Sequence, residues 1–220
     1  MMAASTLLLT LLAGCSALRP LILPAPHPNY YSLSYSTDTA NPATSRSREP
    51  ASTVTLVVSP PHAAAGFDSQ RMMYMRHADQ LEYFAYNEWI DTPARMLAPL
   101  IVAAVANSGA FRAVVETPSP ASGELRLDSE IVRLQQEFAT TPGRVRFTLR
   151  AYLIEVSSRR VVATREFDAV VATASEDPQG GVTAANRAVQ TVLDMLAAFC
   201  ADGVRGLAKA NAPTRAPSTP

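Results

Sequence analysis

Cysteine is scarce: two in 220 residues, at positions 15 and 200, too few and too far apart for a disulfide framework. Charge of one sign is also missing, because 19 Lys+Arg balance 19 Asp+Glu and the formal net charge is zero. A nucleic-acid binder needs a basic surplus to displace counterions from phosphates, so that partner class is excluded. Lysine is nearly absent; Lys209 stands alone among 18 scattered arginines. The nine glycines are dispersed, with Gly180-Gly181 the only pair, and no phosphate-binding glycine loop, HExxH, CxxC or GxSxG occurs. His27, His62 and His77 have no Cys or carboxylate at metal-ligand spacing. The sequence is therefore read as that of a non-enzyme with no cofactor and no metal. What is plentiful is apolar: 48% of residues are hydrophobic and 17% charged, enough for a core and too apolar for disorder throughout.

Residues 6 to 13 form an apolar run of signal-peptide length, too short to span a bilayer of ~30 Å. It leads into Leu12-Ala13-Gly14-Cys15, which resembles a bacterial lipobox: a branched apolar residue, two small ones, then the cysteine that takes up a lipid through its thiol. The expectation is a signal over residues 1–14, cleavage before Cys15, and a mature chain held to a membrane by its lipid. Ser16, in place of Asp, resembles an outer-membrane address.

Prolines at 20, 24, 26 and 28 favour an extended tether, and the Ser/Thr/Arg-rich stretch that follows reads as linker, giving a segment over 15–52. Within it, Asn29-Tyr30-Tyr31-Ser32-Leu33 is an aromatic patch expected to dock on the domain as an edge segment. The domain is expected over 53–202, followed by a disordered tail over 203–220. A strand is read at Val54–Val58, ended by Pro60-Pro61, and short strands over 67–90 turn at His77-Ala78-Asp79. Thr92 caps a helix with Pro93 at its first position, and Asn107-Ser108-Gly109 ends it. A strand follows from Phe111 to Val115. In 124–138 the apolar parity switches, which requires a bulge near Ser129 to Val132. Alternation over 144–156, a turn at Ser157-Ser158-Arg159 and a return over 160–172 make a hairpin. A last amphipathic helix spans about 181–201. The fold class is α+β: a two-layer domain, mainly antiparallel sheet with two helices packed on one face.

Tyr83, Phe84, Tyr86 and Trp89 form the richest aromatic cluster, open to two readings: core, or a contact surface. Glu88 and Asp91 could be a carboxylate pair, although Asp91 also suits the positive end of the helix that follows it. Cys200 lies on the apolar stripe of the last helix, as a buried thiol or an intermolecular disulfide. Met72, Met73 and Met75 suit adaptable packing better than a metal site. Long strands could leave an edge that a second copy covers, so a homo-oligomer is possible on these grounds.

This order of elements resembles the ABC-type transport auxiliary lipoprotein family, whose best-known branch is the PqiC-like lipoproteins that accompany MCE-type lipid transporters. The resemblance is carried by the lipobox at Cys15, Tyr30-Tyr31-Ser32-Leu33, Phe67–Met72, the segment Tyr83-Phe84-Ala85-Tyr86-Asn87-Glu88-Trp89-Ile90-Asp91-Thr92-Pro93, Leu125–Ile131 and the Ala-rich last helix. It implies a periplasm-facing lipoprotein at the outer membrane, a non-catalytic accessory subunit of an intermembrane lipid transporter. Its implied partner is an MCE-domain protein or a permease, and its membrane contact is the lipid on Cys15. Tyr30, Tyr31, Tyr83, Tyr86 and Trp89 are the candidate partner-binding residues. The alternative is a structural or assembly lipoprotein of a secretion or cell-wall complex.

Overall fold

A computed structural model describes residues 27–36 and 51–210. Nine strands and two helices follow one another as β1 (Asn29–Tyr31), β2 (Thr55–Val58), β3 (His62–Ala63), β4 (Arg71–Met75), β5 (Leu81–Trp89), α1 (Pro93–Asn107), β6 (Ala113–Glu116), β7 (Leu125–Glu137), β8 (Arg144–Glu155), β9 (Arg160–Ala172) and α2 (Pro178–Ala210). The α+β class holds, on a single mixed sheet.

The long strand β7 organises that sheet. On one side it pairs antiparallel with β8, and β8 with β9. On the other side β2, β3 and β4 lie parallel to successive stretches of it, at Leu125–Leu127, Glu130–Ile131 and Gln135–Glu137. β6 extends the sheet beyond β2, while β5 and then β1 extend it beyond β4. The register of β7 against β8 shifts between Ile131 and Arg133, where the parity switch required a bulge. Ile131 and Leu134 therefore both face inward, opposite Leu149 and Phe147.

Both helices cover the inner face. Leu97, Ile101 and Val105 of α1 and Val189, Leu193 and Leu196 of α2 share one buried cluster with Leu125, Phe147, Leu149 and Leu153 of the sheet. Thr92 caps α1 by accepting from the Arg95 amide, with Pro93 next to it. Asp177 plays the same part for α2, its carboxylate accepting from the Gly180 amide at 2.7 Å. That bond, then one from Ser175, holds the Asp177 carboxyl below the usual range.

Two boundaries differ from the sequence reading. Helix α2 starts three residues earlier and continues to Ala210, through the expected start of the tail. Cys200 and Val204 are buried and Leu207 packs on the core, so the apolar stripe persists past Gly203 and Gly206 and outweighs their poor helix propensity. At the other end, residues 29–36 belong to the fold although they fall in the expected tether and linker. β1 pairs with the end of β5 as an edge strand. The next residues lie along α2: the Ser34 and Ser36 amides donate to the side chains of Asn186 and Gln190, and the Tyr35 hydroxyl donates to Asp194. Burial, then the Asp194 carboxylate, pushes the Tyr35 hydroxyl up to about 12.

Candidate functional site

With the helices on one face, the other face of the sheet is left as the broadest surface on which strands display side chains. Its composition changes from one end to the other, and the register shows how.

At the β7–β8–β9 end, outward positions alternate in charge across the strands. Arg146 grips Asp168 through two nitrogens, at 3.0 and 2.9 Å, and the Thr148 hydroxyl donates to the same carboxylate. These bonds, Arg146 first, hold the Asp168 carboxyl below its usual value. Arg150 bridges Glu130 at 3.0 Å and Glu166 at 2.8 Å. Arg144 meets Glu137 at 2.7 Å, and Arg126 meets Asp128 at 2.9 Å. The charges at this end satisfy one another.

At the β1–β5–β4 end the outward positions are aromatic or thioether. Outward from β4 point Arg71, Met73 and Met75, alternating with buried Met72 and Tyr74. The register then sets Tyr83 opposite Met73, Leu81 opposite Met75, and Glu88 opposite Arg71. Tyr30 lies beside Glu88, and Tyr86 is two residues before it on the same strand. Tyr30, Tyr83 and Tyr86 are 57, 49 and 54% exposed, and Leu81 is 40% exposed. Arg71 lies 4.2 Å over the Tyr83 ring, which places that ring on the outer side as well.

The aromatics stand out because β5 is irregular. Between the pairs Arg71–Glu88 and Met73–Tyr83, β4 has one intervening residue and β5 has four. This wide bulge, residues 84–87, breaks the alternation that a plain strand would impose. Behind it, Phe84 packs at 4.6 Å from Tyr74 and 6.4 Å from Phe138, and the Tyr74 hydroxyl donates to Glu82 at 2.8 Å.

The five aromatic candidates thus divide. Tyr30, Tyr83 and Tyr86 are exposed on one face; Trp89 is buried in the core, and Tyr31 packs half-buried against it, its hydroxyl donating to Asn87. Cys15 lies outside the described residues. Cys200 is a buried free thiol, pushed up to about 12 by burial. Asp91 accepts from the Thr92 amide and pairs with Arg95 at the start of α1, while Glu88 lies opposite Arg71 on the sheet, so the two carboxylates serve different neighbours. Among the described residues no helix is long and apolar enough to cross a membrane, and no three His, Cys, Asp or Glu side chains are grouped to hold a metal. The sequence reading missed the β5 bulge and the charge ladder opposite it. The ladder was legible as Arg-x-Arg-x-x-x-Arg over 144–150 facing Glu166 and Asp168, but only once the hairpin register was known.

The family model for the ABC-type transport auxiliary lipoprotein component matches residues 31–197. Among solved structures, protein XCC0632 from Xanthomonas campestris, assigned to family DUF330, superposes with a TM-score of 0.72 at 24% identity, covering 82% of this chain and 99% of that one. The hypothetical protein CT253 from Chlamydia trachomatis gives a TM-score of 0.50 at 10% identity, over 70% of this chain and 99% of that one. At such identities these likenesses speak for the fold alone. A search of curated proteins finds no match.

Proposed function

The chain belongs to the ABC-type transport auxiliary lipoprotein family, and from that premise we propose that it is a non-catalytic docking subunit of an envelope lipid transporter, anchored through Cys15 on the periplasmic face of the outer membrane. The observation that carries the reading is the aromatic end of the outer face, where Tyr30, Tyr83 and Tyr86 stand exposed on a rigid sheet with methionines between them. Exposed tyrosines on a fixed backbone supply large contact area at low entropic cost, the composition of protein contact hot spots. The partner is an MCE-domain protein or the permease, and the lipid anchor concentrates the domain near it. Cys15 to His27 is a stretch of chain that reaches roughly 40 Å when extended at ~3.3 Å per residue.

The test is affinity capture of the full lipidated chain from its native envelope, followed by mass spectrometry. An MCE-domain protein or permease is recovered with the parent chain and lost when Tyr83 and Tyr86 become Ser. Recovery of secretion or cell-wall assembly proteins instead establishes the alternative role. Palmitate labelling that persists in Cys15→Ala overturns the anchor.

A further inference from the structure

The bulge in β5 leaves a slot between the sheet and the start of α2. It offers about 270 Å³, open on one side, lined by Met72, Met73, Phe84, Trp89, Val145 and Ala185. At its inner wall lies Gln136, 4% exposed, and neither its carboxamide nitrogen nor its oxygen has a hydrogen-bond partner among the described residues. The carboxamide is pressed against Gly181, where a methyl group would collide with it. A glycine at this point of α2 therefore makes room for a polar group that the fold itself leaves unsatisfied. Native proteins rarely bury both ends of an amide without partners, so this group calls for an explanation from outside the fold.

We propose that the slot receives an apolar side chain from an extended segment of the partner, whose backbone amide pairs with the Gln136 carboxamide. Three features select that occupant. The carboxamide offers one donor group and one acceptor side by side, and a peptide group matches both, whereas a phosphate or a cation matches only one. The remaining lining is apolar, which suits a Leu or Met anchor. The space falls just under the ~300–1,000 Å³ of small-molecule sites, so it suits a single side chain better than a cofactor or a full acyl chain. Continuity supports the same assignment, because the bulge that forms the slot also displays Tyr83 and Tyr86. The proposal deepens the docking role and rests on it.

The experiment titrates the full chain with the capped peptide acetyl-Ala-Leu-Ala-N-methylamide. Its readouts are the Gln136 side-chain amide by NMR and the fluorescence of Trp89, the single tryptophan. The all-glycine analogue and dihexanoylphosphatidylcholine below its micelle concentration are titrated in parallel. Saturable shifts are expected with the leucine peptide alone. Gln136→Met, an apolar residue of similar length, should weaken them about tenfold, the scale of one lost hydrogen-bonded anchor, with an unchanged or raised Tm. Equal binding by Gln136→Met, a response to the lipid and not to the peptide, or no response to either overturns the proposal; the last outcome leaves Gln136 to a buried water only. Transporter capture by the parent chain is scored separately, so loss of the slot and loss of the docking role are distinguishable.

Discussion

On the outer face of the sheet, the β7–β8–β9 end and the β1–β5–β4 end solve the same exposure in opposite ways. The first places Arg144, Arg146 and Arg150 within reach of Glu137, Asp168, Glu130 and Glu166, so each charge already has its counter-charge. A partner docking there would have to break or desolvate those pairs, and surface pairs of this kind contribute little to begin with. The second end leaves Tyr30, Tyr83 and Tyr86 uncovered around Met73 and Met75. Burying those rings releases water and breaks no ion pair. The two ends share one continuous sheet, linked by the row Tyr83–Met73–Gln135–Arg146–Val170. The difference between them is therefore one of side chains, and it assigns docking to one end and solubility to the other.

The strongest way to blur that contrast is to damage the core beneath it. Trp89→Ala removes a ring that is 4% exposed and should cost about 3–5 kcal/mol, read as a fall in Tm. A change at Trp89 thus reports on folding, and only the exposed tyrosines report on docking. Replacing Tyr30, Tyr83 and Tyr86 together by Ser should lower partner capture tenfold or more, about 1.4 kcal/mol at the least, and move Tm by no more than a few degrees.

At the other end the expected signs reverse. Asp168→Asn should lower stability by at most about 1 kcal/mol, because the pair with Arg146 is about one-third exposed and partly screened, and should leave capture unchanged. The folded Asp168 carboxyl lies below its unfolded value near ~3.9, so its contribution is full above that pH and is lost as acid protonates the folded group. Urea midpoints measured across that window should fall with pH in the parent more than in Asp168→Asn. The smallest effect is that of salt. Raising ionic strength from 0.1 to 1 M shortens the screening length from ~10 to ~3 Å, which should cost the ladder a few tenths of a kcal/mol and leave tyrosine-mediated capture intact.

Much of this architecture was legible in the chain because local patterns and tertiary demands agree. The β8–β9 hairpin could be read from its alternation, the β7 bulge from a parity switch between Ile131 and Leu134, and the α1 start from Thr92-Pro93. The four-residue bulge in β5 could not, since Tyr83 to Trp89 carries apolar residues of both parities and only pairing with β4 shows which rings turn outward. The parallel attachment of β2, β3 and β4 to one long strand is equally silent in sequence, because two to five residues with no helix between them give no sign of direction. The end of α2 was placed too early because glycines at 203 and 206 suggested a stop, whereas burial of Val204 decided the matter. For the site, the sequence located the aromatic segment and its neighbour at residues 30–31, but the division into exposed Tyr30, Tyr83 and Tyr86 and buried Trp89 belongs to packing.

The contrast between the two ends is tested most directly by site-specific photocrosslinking in the native envelope, with p-benzoylphenylalanine placed at position 83 or 86 of the full chain and, in separate strains, at position 164 or 170 of β9. The docking assignment predicts crosslinks to a transporter subunit from 83 and 86 and none from 164 and 170. Crosslinks to that subunit from the β9 positions alone would contradict it.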